Sequence, residues 1–245
     1  MSSFRTQLRH TAQGARGRQI GFSAGPQRAT SPQLMVIAIV DEASEVTALR
    51  DAGATGFITT GLEGLAELVK AAGDLPLGVR RDATSVEDAV QAREAGVDFV
   101  AFDDEHSAAE AFLEPEPGRV LLLEGPASEE RLRMIAAMQL DAIIVAPPPQ
   151  PLTVRDQLQL RRIAELAGAP LIVPTGEAPA VASLHAWRNA GTLAVLVPGE
   201  AELVRATVEA ARAVPLPKQP REQGGMALVP AVREGAGEFD DDDDF

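Results

Sequence analysis

Acids, arginines and one histidine of this chain fall in short groups, each just after an apolar run: Asp41-Glu42, Arg80-Arg81-Asp82, Asp103-Asp104-Glu105-His106 and Glu124. Two adjacent arginines must find a charge partner, so Arg80 or Arg81 would clamp an anionic ligand or pair with one of these acids. Asp41, Glu42 and Asp103, if folding gathered them, would hold Mg²⁺, because hard cations take oxygen ligands. The plainer expectation is that such acids cap helices and answer the helix dipole. His106 would act as a general acid or base, or else stand as a surface histidine at a helix start. Thr59 and Thr60, Thr175 and Gly176, and Gly199 follow three further apolar runs and would line a substrate site.

Composition removes several chemistries. Without cysteine there is no thiolate nucleophile, disulfide or Cys-ligated zinc, and without tyrosine one more acid-base group is missing. Of the two lysines, Lys70 falls in a helical pattern and Lys218 in a Pro-rich stretch, so neither is placed for a Schiff base. His10, His106 and His185 lie far apart, which argues against a multi-histidine zinc site. A net charge of −14 disfavours nonspecific nucleic-acid binding, which needs a concentrated basic face. With no apolar run long enough for a membrane span or a secretory signal, a cytoplasmic protein is expected.

The elements that must position these groups recur along the chain. An Ala-Gly helix ending at Gly53, Gly73, Gly96, Gly168 and Gly191 is followed within a few residues by an apolar segment, and the spacing is one strand plus one helix. Three further units fill the gap: 97–102 with 107–113, 120–123 with 128–138, and 142–145 with 153–167. With 34–40 at the start and 200–213 at the end, the count is eight strands and eight helices. Continuous apolar runs such as Met35-Val36-Ile37-Ala38-Ile39-Val40 mark strands buried on both faces. Ser44, Thr84, Ser128 and Thr153 stand at helix-cap positions. A single α/β domain follows, a (β/α)8 TIM barrel, with a doubly wound open sheet as the rival; no Gly-x-Gly-x-x-Gly follows the first strand, which weakens that rival.

The barrel is assigned residues 34–214. Residues 1–33 form a basic arm of five arginines and no acid, resembling a transit peptide and equally suited to folding back on an acidic body; Phe4 and Leu8 at helical spacing would dock a short helix. Residues 215–245 combine a Pro/Gly linker with an acidic tail ending in an aspartate run between Phe239 and Phe245, either a solvated tail or a docking peptide for a protein partner.

The segment Leu75-Pro76-Leu77-Gly78-Val79-Arg80-Arg81-Asp82 resembles the Leu-Pro-hydrophobic-Leu-Arg-Lys-Asp motif of the ribulose-phosphate-binding barrels, and of indole-3-glycerol-phosphate synthase most closely. Ala92-Arg93-Glu94-Ala95-Gly96-Val97-Asp98 and Leu196-Val197-Pro198-Gly199-Glu200-Ala201 are similar to two more segments of that family. The resemblance implies an aldolase-type barrel in which Glu124 stands at the catalytic glutamate and Arg81 or Arg80 at the general-acid lysine. It also shows departures: Val40-Asp41 replaces a lysine, Ala146-Pro147-Pro148 an asparagine, and Glu177 and Glu200 follow the glycines of the phosphate site. The expected function is a lyase or isomerase acting on a small anionic oxygenated metabolite, with Mg²⁺ on the acidic rim as a further option. The alternative is a degenerate, noncatalytic barrel that binds or assembles through its arm and tail.

Overall fold

The computed structural model describes residues 3–15 and 33–216. Strands β1 (Met35–Ile39), β2 (Gly56–Thr59), β3 (Leu77–Arg81), β4 (Phe99–Phe102), β5 (Gly118–Leu123), β6 (Ala142–Val145), β7 (Leu171–Pro174) and β8 (Thr192–Val197) pair in chain order, all parallel. β8 pairs back onto β1, with Met35 opposite Ala194 and Ile37 opposite Leu196, so the sheet is closed. Helices α2 (Ala43–Asp51), α3 (Leu65–Ala72), α4 (Val86–Ala95), α5 (Glu129–Ala136), α6 (Val154–Ala167), α7 (Val181–Asn189) and α8 (Ala201–Ala213) follow the strands, and α1 (Ser3–Ala15) precedes them. The chain is a (β/α)8 barrel. All five glycines of the repeat have positive φ, from 61° to 100°, where a Cβ would be strained.

Strand parity sorts the apolar residues into two layers. Met35 and Ile37, Phe99 and Ala101, Val120 and Leu122, Ala142 and Ile144, and Ala194 and Leu196 alternate along five strands and meet in one buried cluster, the barrel interior. The intervening residues, among them Val36, Leu121, Ile143 and Val195, pack instead with Leu49, Leu132, Leu184 and Val204 of the helices. Gly78 belongs to the inner row: a Cβ there would run into the ring of Phe99, which lies across it.

One expected helix is reduced. After β4, residues 107–113 form only a 3-10 turn, Ala109–Phe112, because Pro115 and Pro117 bar continuation and Pro115 disfavours helical backbone at Glu114. Phe112 covers Phe102 there, with ring centroids 3.9 Å apart. Two caps also move: α2 begins at Glu42 rather than Ser44, and α4 at Ser85, one residue past Thr84. Thr84 is buried and its N–H donates to Ser107 Oγ. Ser128 and Thr153 cap α5 and α6 as expected, accepting the N–H of Arg131 and of Asp156.

The basic arm does dock a helix. Phe4 and Leu8 of α1 are buried in the interior cluster, and Phe4 stacks on Phe99 at 4.2 Å. Ser3 donates through its N–H and hydroxyl to Asp98, and Arg5 Nε lies 2.5 Å from Asp141. Asp98 immediately precedes β4 and Asp141 immediately precedes β6, so α1 stoppers the amino-terminal end. The chain leaves at that same end: Gln33 donates to the Ala211 carbonyl of α8, and buried Arg188 of α7 donates to the Pro215 carbonyl. The rest of the arm and the acidic tail lie outside the described residues.

Candidate functional site

The two arginines are separated by strand geometry. Both lie inside β3, and successive side chains of a strand point to opposite faces. Arg80 shares parity with inward Gly78 and rises over the carboxy-terminal mouth. Arg81 shares parity with Val79, faces the helix layer and has its Nη2 3.6 Å from Asp88 of α4. That contact ties Arg81 to the outer wall.

At the mouth, Arg80 Nη2 stands 3.7 Å from Glu124 Oε1, and Arg80 Nε stands 3.4 Å from Asp82. Glu124 follows β5 and continues the inward parity of Val120 and Leu122. The pair borders a cleft of about 400 Å³ whose apolar wall is Leu122, Ile144, Ala146, Pro147 and Pro174. Pro147 of the proline run forms a side of this cleft and leaves it open. Arg80 is 36% exposed and Glu124 81% exposed, and an ion pair so wet contributes at most about 1 kcal/mol. The pair is therefore easily traded for a ligand.

The other rim residues are occupied locally. Thr59 is buried with outward parity, and its hydroxyl accepts the Gly61 N–H; Thr60 beside it is exposed. The N–H groups of Asp41 and Glu42 donate to Glu45 Oε2 at the start of α2, where Glu42 and Glu45 form a capping box. Asp103 accepts the N–H groups of Glu105 and His106 and lies 2.7 Å from His106 Nδ1, while Asp104 pairs with Arg131. The His106 imidazole is held above its ordinary value by the hydrogen bond to Asp103 and by that carboxylate's charge. Partial burial pushes the Asp103 carboxyl up, but the hydrogen bonds and charge of His106 outweigh it and leave the group below the usual carboxylate value. Among the described residues, no three Asp, Glu or His side chains are grouped to hold a metal ion.

After β7 and β8, where a barrel of this kind often holds phosphate on backbone amides, three N–H groups already have acceptors within the chain. Thr175 N–H donates to the Leu196 carbonyl, Glu177 N–H to Thr175 Oγ1, and Glu200 N–H to the Pro198 carbonyl. Thr175 Oγ1 itself donates to the Glu177 carbonyl at 2.6 Å. Gly176 is open, whereas Gly199 sits so tightly on the Ile39 carbonyl that no side chain would fit. The residues that sequence reasoning missed are the apolar wall, Leu122, Ile144 and Pro174. Their signal was parity, since Leu122 lies two residues before Glu124 and Pro174 two after Ile172.

No family model and no curated protein matches this chain. Solved structures do. A thiamine phosphate pyrophosphorylase from Pyrococcus furiosus aligns at TM-score 0.58 and 16% identity, over 74% of this chain and 96% of that one. A 3-keto-L-gulonate-6-phosphate decarboxylase from Vibrio cholerae aligns at 0.60 and 12%, over 73% and 97%. A protein from Aquifex aeolicus VF5 aligns at 0.60 and 12%, over 86% and 99%. The likeness is one of fold. At these identities it carries the (β/α)8 barrel alone and leaves the side chains of the mouth to speak for themselves. Among the described residues, no helix is long and apolar enough to cross a membrane.

Proposed function

We propose that this barrel is an enzyme, a lyase or isomerase, that takes a small anionic oxygenated metabolite into the cleft between Arg80 and Glu124. The observation that carries the reading is the meeting of one arginine and one glutamate, 3.7 Å apart, over an apolar wall at the carboxy-terminal mouth. This is the end where barrels of this class build their chemistry. The names of two neighbours, a decarboxylase and a pyrophosphorylase, are in keeping with the general kind of activity.

The mechanism follows from the exchange of partners. In the resting cleft, Arg80 is neutralised by Glu124 and Asp82. An incoming carboxylate competes for the guanidinium fork, which binds carboxylates in two parallel hydrogen bonds. Glu124 is then released beside the substrate's body, where it can take a proton from a carbon or hydroxyl next to the bound group. Leu122, Ile144, Pro147 and Pro174 hold that body and thin the water around it. The amides of Thr175, Glu177 and Glu200 are already bonded within the chain, which favours a carboxylate at Arg80 over a phosphate on the opposite rim.

Calorimetry against a panel of small hydroxy and keto acids and a panel of sugar phosphates tests this. The expected result is binding of an acid that weakens about tenfold or more in Arg80→Ala, as for a lost charge-assisted pair. A magnesium arm asks whether Asp41, Glu42 and Asp103 draw together around a cation. Silence of every ligand would leave the second reading, a noncatalytic binding module, which is favoured by the closure of Arg80 on the chain's own Glu124 and Asp82.

A further inference from the structure

The amino-terminal end of the barrel holds a piece of this same chain in a way that a second copy could reproduce. Among the described side chains of α1, Phe4 and Leu8 are the buried ones, and they enter the interior from outside the strand ring. Phe4 lies on Phe99 at 4.2 Å, and Phe99 can lie there because Gly78 has no side chain. Two carboxylates flank this apolar well. Asp98 accepts the Ser3 N–H at 3.0 Å and the Ser3 hydroxyl at 2.8 Å, and it also accepts the Leu77 N–H. Asp141 takes Arg5 while accepting the Arg119 N–H, so both acids are fixed by the barrel before they meet α1. The arrangement is a socket for a helix that begins with Ser-Phe-Arg and carries Leu four residues after the Phe.

The helix depends on the socket more than the socket on the helix. α1 has 13 residues, no acid in its first turn and no base in its last, and Arg5 stands against the positive end of its own dipole. A helix of that length is marginal in water even with a favourable sequence. Asp98 supplies from another element an acceptor for the first described N–H of the helix, that of Ser3. α1 therefore orders on docking, as a bound peptide does, while the barrel closes through eight strand pairs in which α1 takes no part.

Connection to β1 is long. Residues 16–32 lie between α1 and the first described residue before β1, and 17 residues span at most about 60 Å. A body of this size has an expected radius of gyration of about 16 Å, so α1 can reach the corresponding end of a neighbour. We propose that the amino-terminal end is a reversible peptide socket that accepts α1 from a second copy of this chain, exchanging helices between barrels at high concentration.

The test uses the full chain with a protease site introduced between residues 18 and 30. After cleavage, the protein is incubated with an excess of fluorescent peptide corresponding to residues 1–15. The expected result is saturable uptake of the peptide with release of the resident helix. A peptide carrying Phe4→Ala should bind about 10- to 100-fold more weakly, the equivalent of losing a buried aromatic side chain. Asp98→Asn in the barrel should weaken the native peptide severalfold without altering far-UV circular dichroism. In the uncut chain, concentration should produce a dimer that Phe4→Asp abolishes. A cleaved barrel that stays folded and never takes up the peptide would overturn the proposal. So would loss of the barrel's circular dichroism on cleavage followed by removal of the peptide, since α1 would then be part of the folding core. None of these outcomes depends on the cleft at the other end.

Discussion

The two ends of the barrel use the same residue types to opposite effect. At the amino-terminal end Arg5 meets Asp141 over a stacked Phe4–Phe99 pair, and the surroundings are filled. At the carboxy-terminal end Arg80 meets Glu124 over Leu122 and Ile144, and the surroundings are empty. Arg5 and Asp141 are 28% and 12% exposed, whereas Glu124 is 81% exposed. An arginine and an acid thus make a latch where apolar side chains close over them and a replaceable contact where solvent reaches them. Packing, more than the pair itself, decides what each end can exchange: a whole apolar helix at the filled end, a small polar ligand at the open one.

That contrast can be broken experimentally. Phe99→Ala should lower the unfolding free energy by about 3–5 kcal/mol, as for other buried aromatic truncations, and leave ligand binding at the cleft unchanged; urea melts and calorimetry read the two separately. If cleft binding fell with stability, the ends would be coupled and the comparison would fail. Thr153→Ala removes the α6 cap, where Thr153 and Asp156 exchange hydrogen bonds, and should cost about 1 kcal/mol in the same melts. A cost near zero would show that the helix layer tolerates loss of its caps.

Smaller changes sharpen the carboxy-terminal side. Glu124→Gln should tighten binding of an acid to Arg80 by severalfold while abolishing turnover, because the competing charge and the base are the same group. Unchanged affinity would mean that Arg80 is not the anion holder. His106 should titrate above its ordinary value in NMR spectra, and Asp103→Asn should bring it down. For a group raised on folding, the stabilisation is complete below the unfolded pKa, near 6.5, and disappears as the pH climbs through the folded value. The Asp103–His106 contact is therefore a feature of neutral to acidic solution, and a histidine midpoint insensitive to Asp103→Asn would dismiss it.

Much of the architecture was legible in the order of residues because buried parallel strands are continuous apolar runs and five helices, α2, α3, α4, α6 and α7, are followed within two residues by a glycine of positive φ. The helix after β4 misled, since Ala108 to Leu113 is helical in composition and only the prolines beyond it limit the turn. The mouth was harder to read. Which of two neighbouring arginines faces inward depends on parity, and parity depends on Gly78 lying under Phe99, 21 residues away. The partners of α1 were harder still: Phe4 and Leu8 announce a docking helix, but Asp98 and Asp141 lie 95 and 136 residues from the groups they hold. Spacing within the chain carries no information about such pairs until the ring closes.

The hydrogen bond from Gln33 to Ala211 and the grip of Arg188 on Pro215 bring the flanks of the barrel together on the stoppered pole. The described chain thus enters and leaves the strand ring at one pole, so residues added around position 33 or 215 would lie a full barrel height from the cleft.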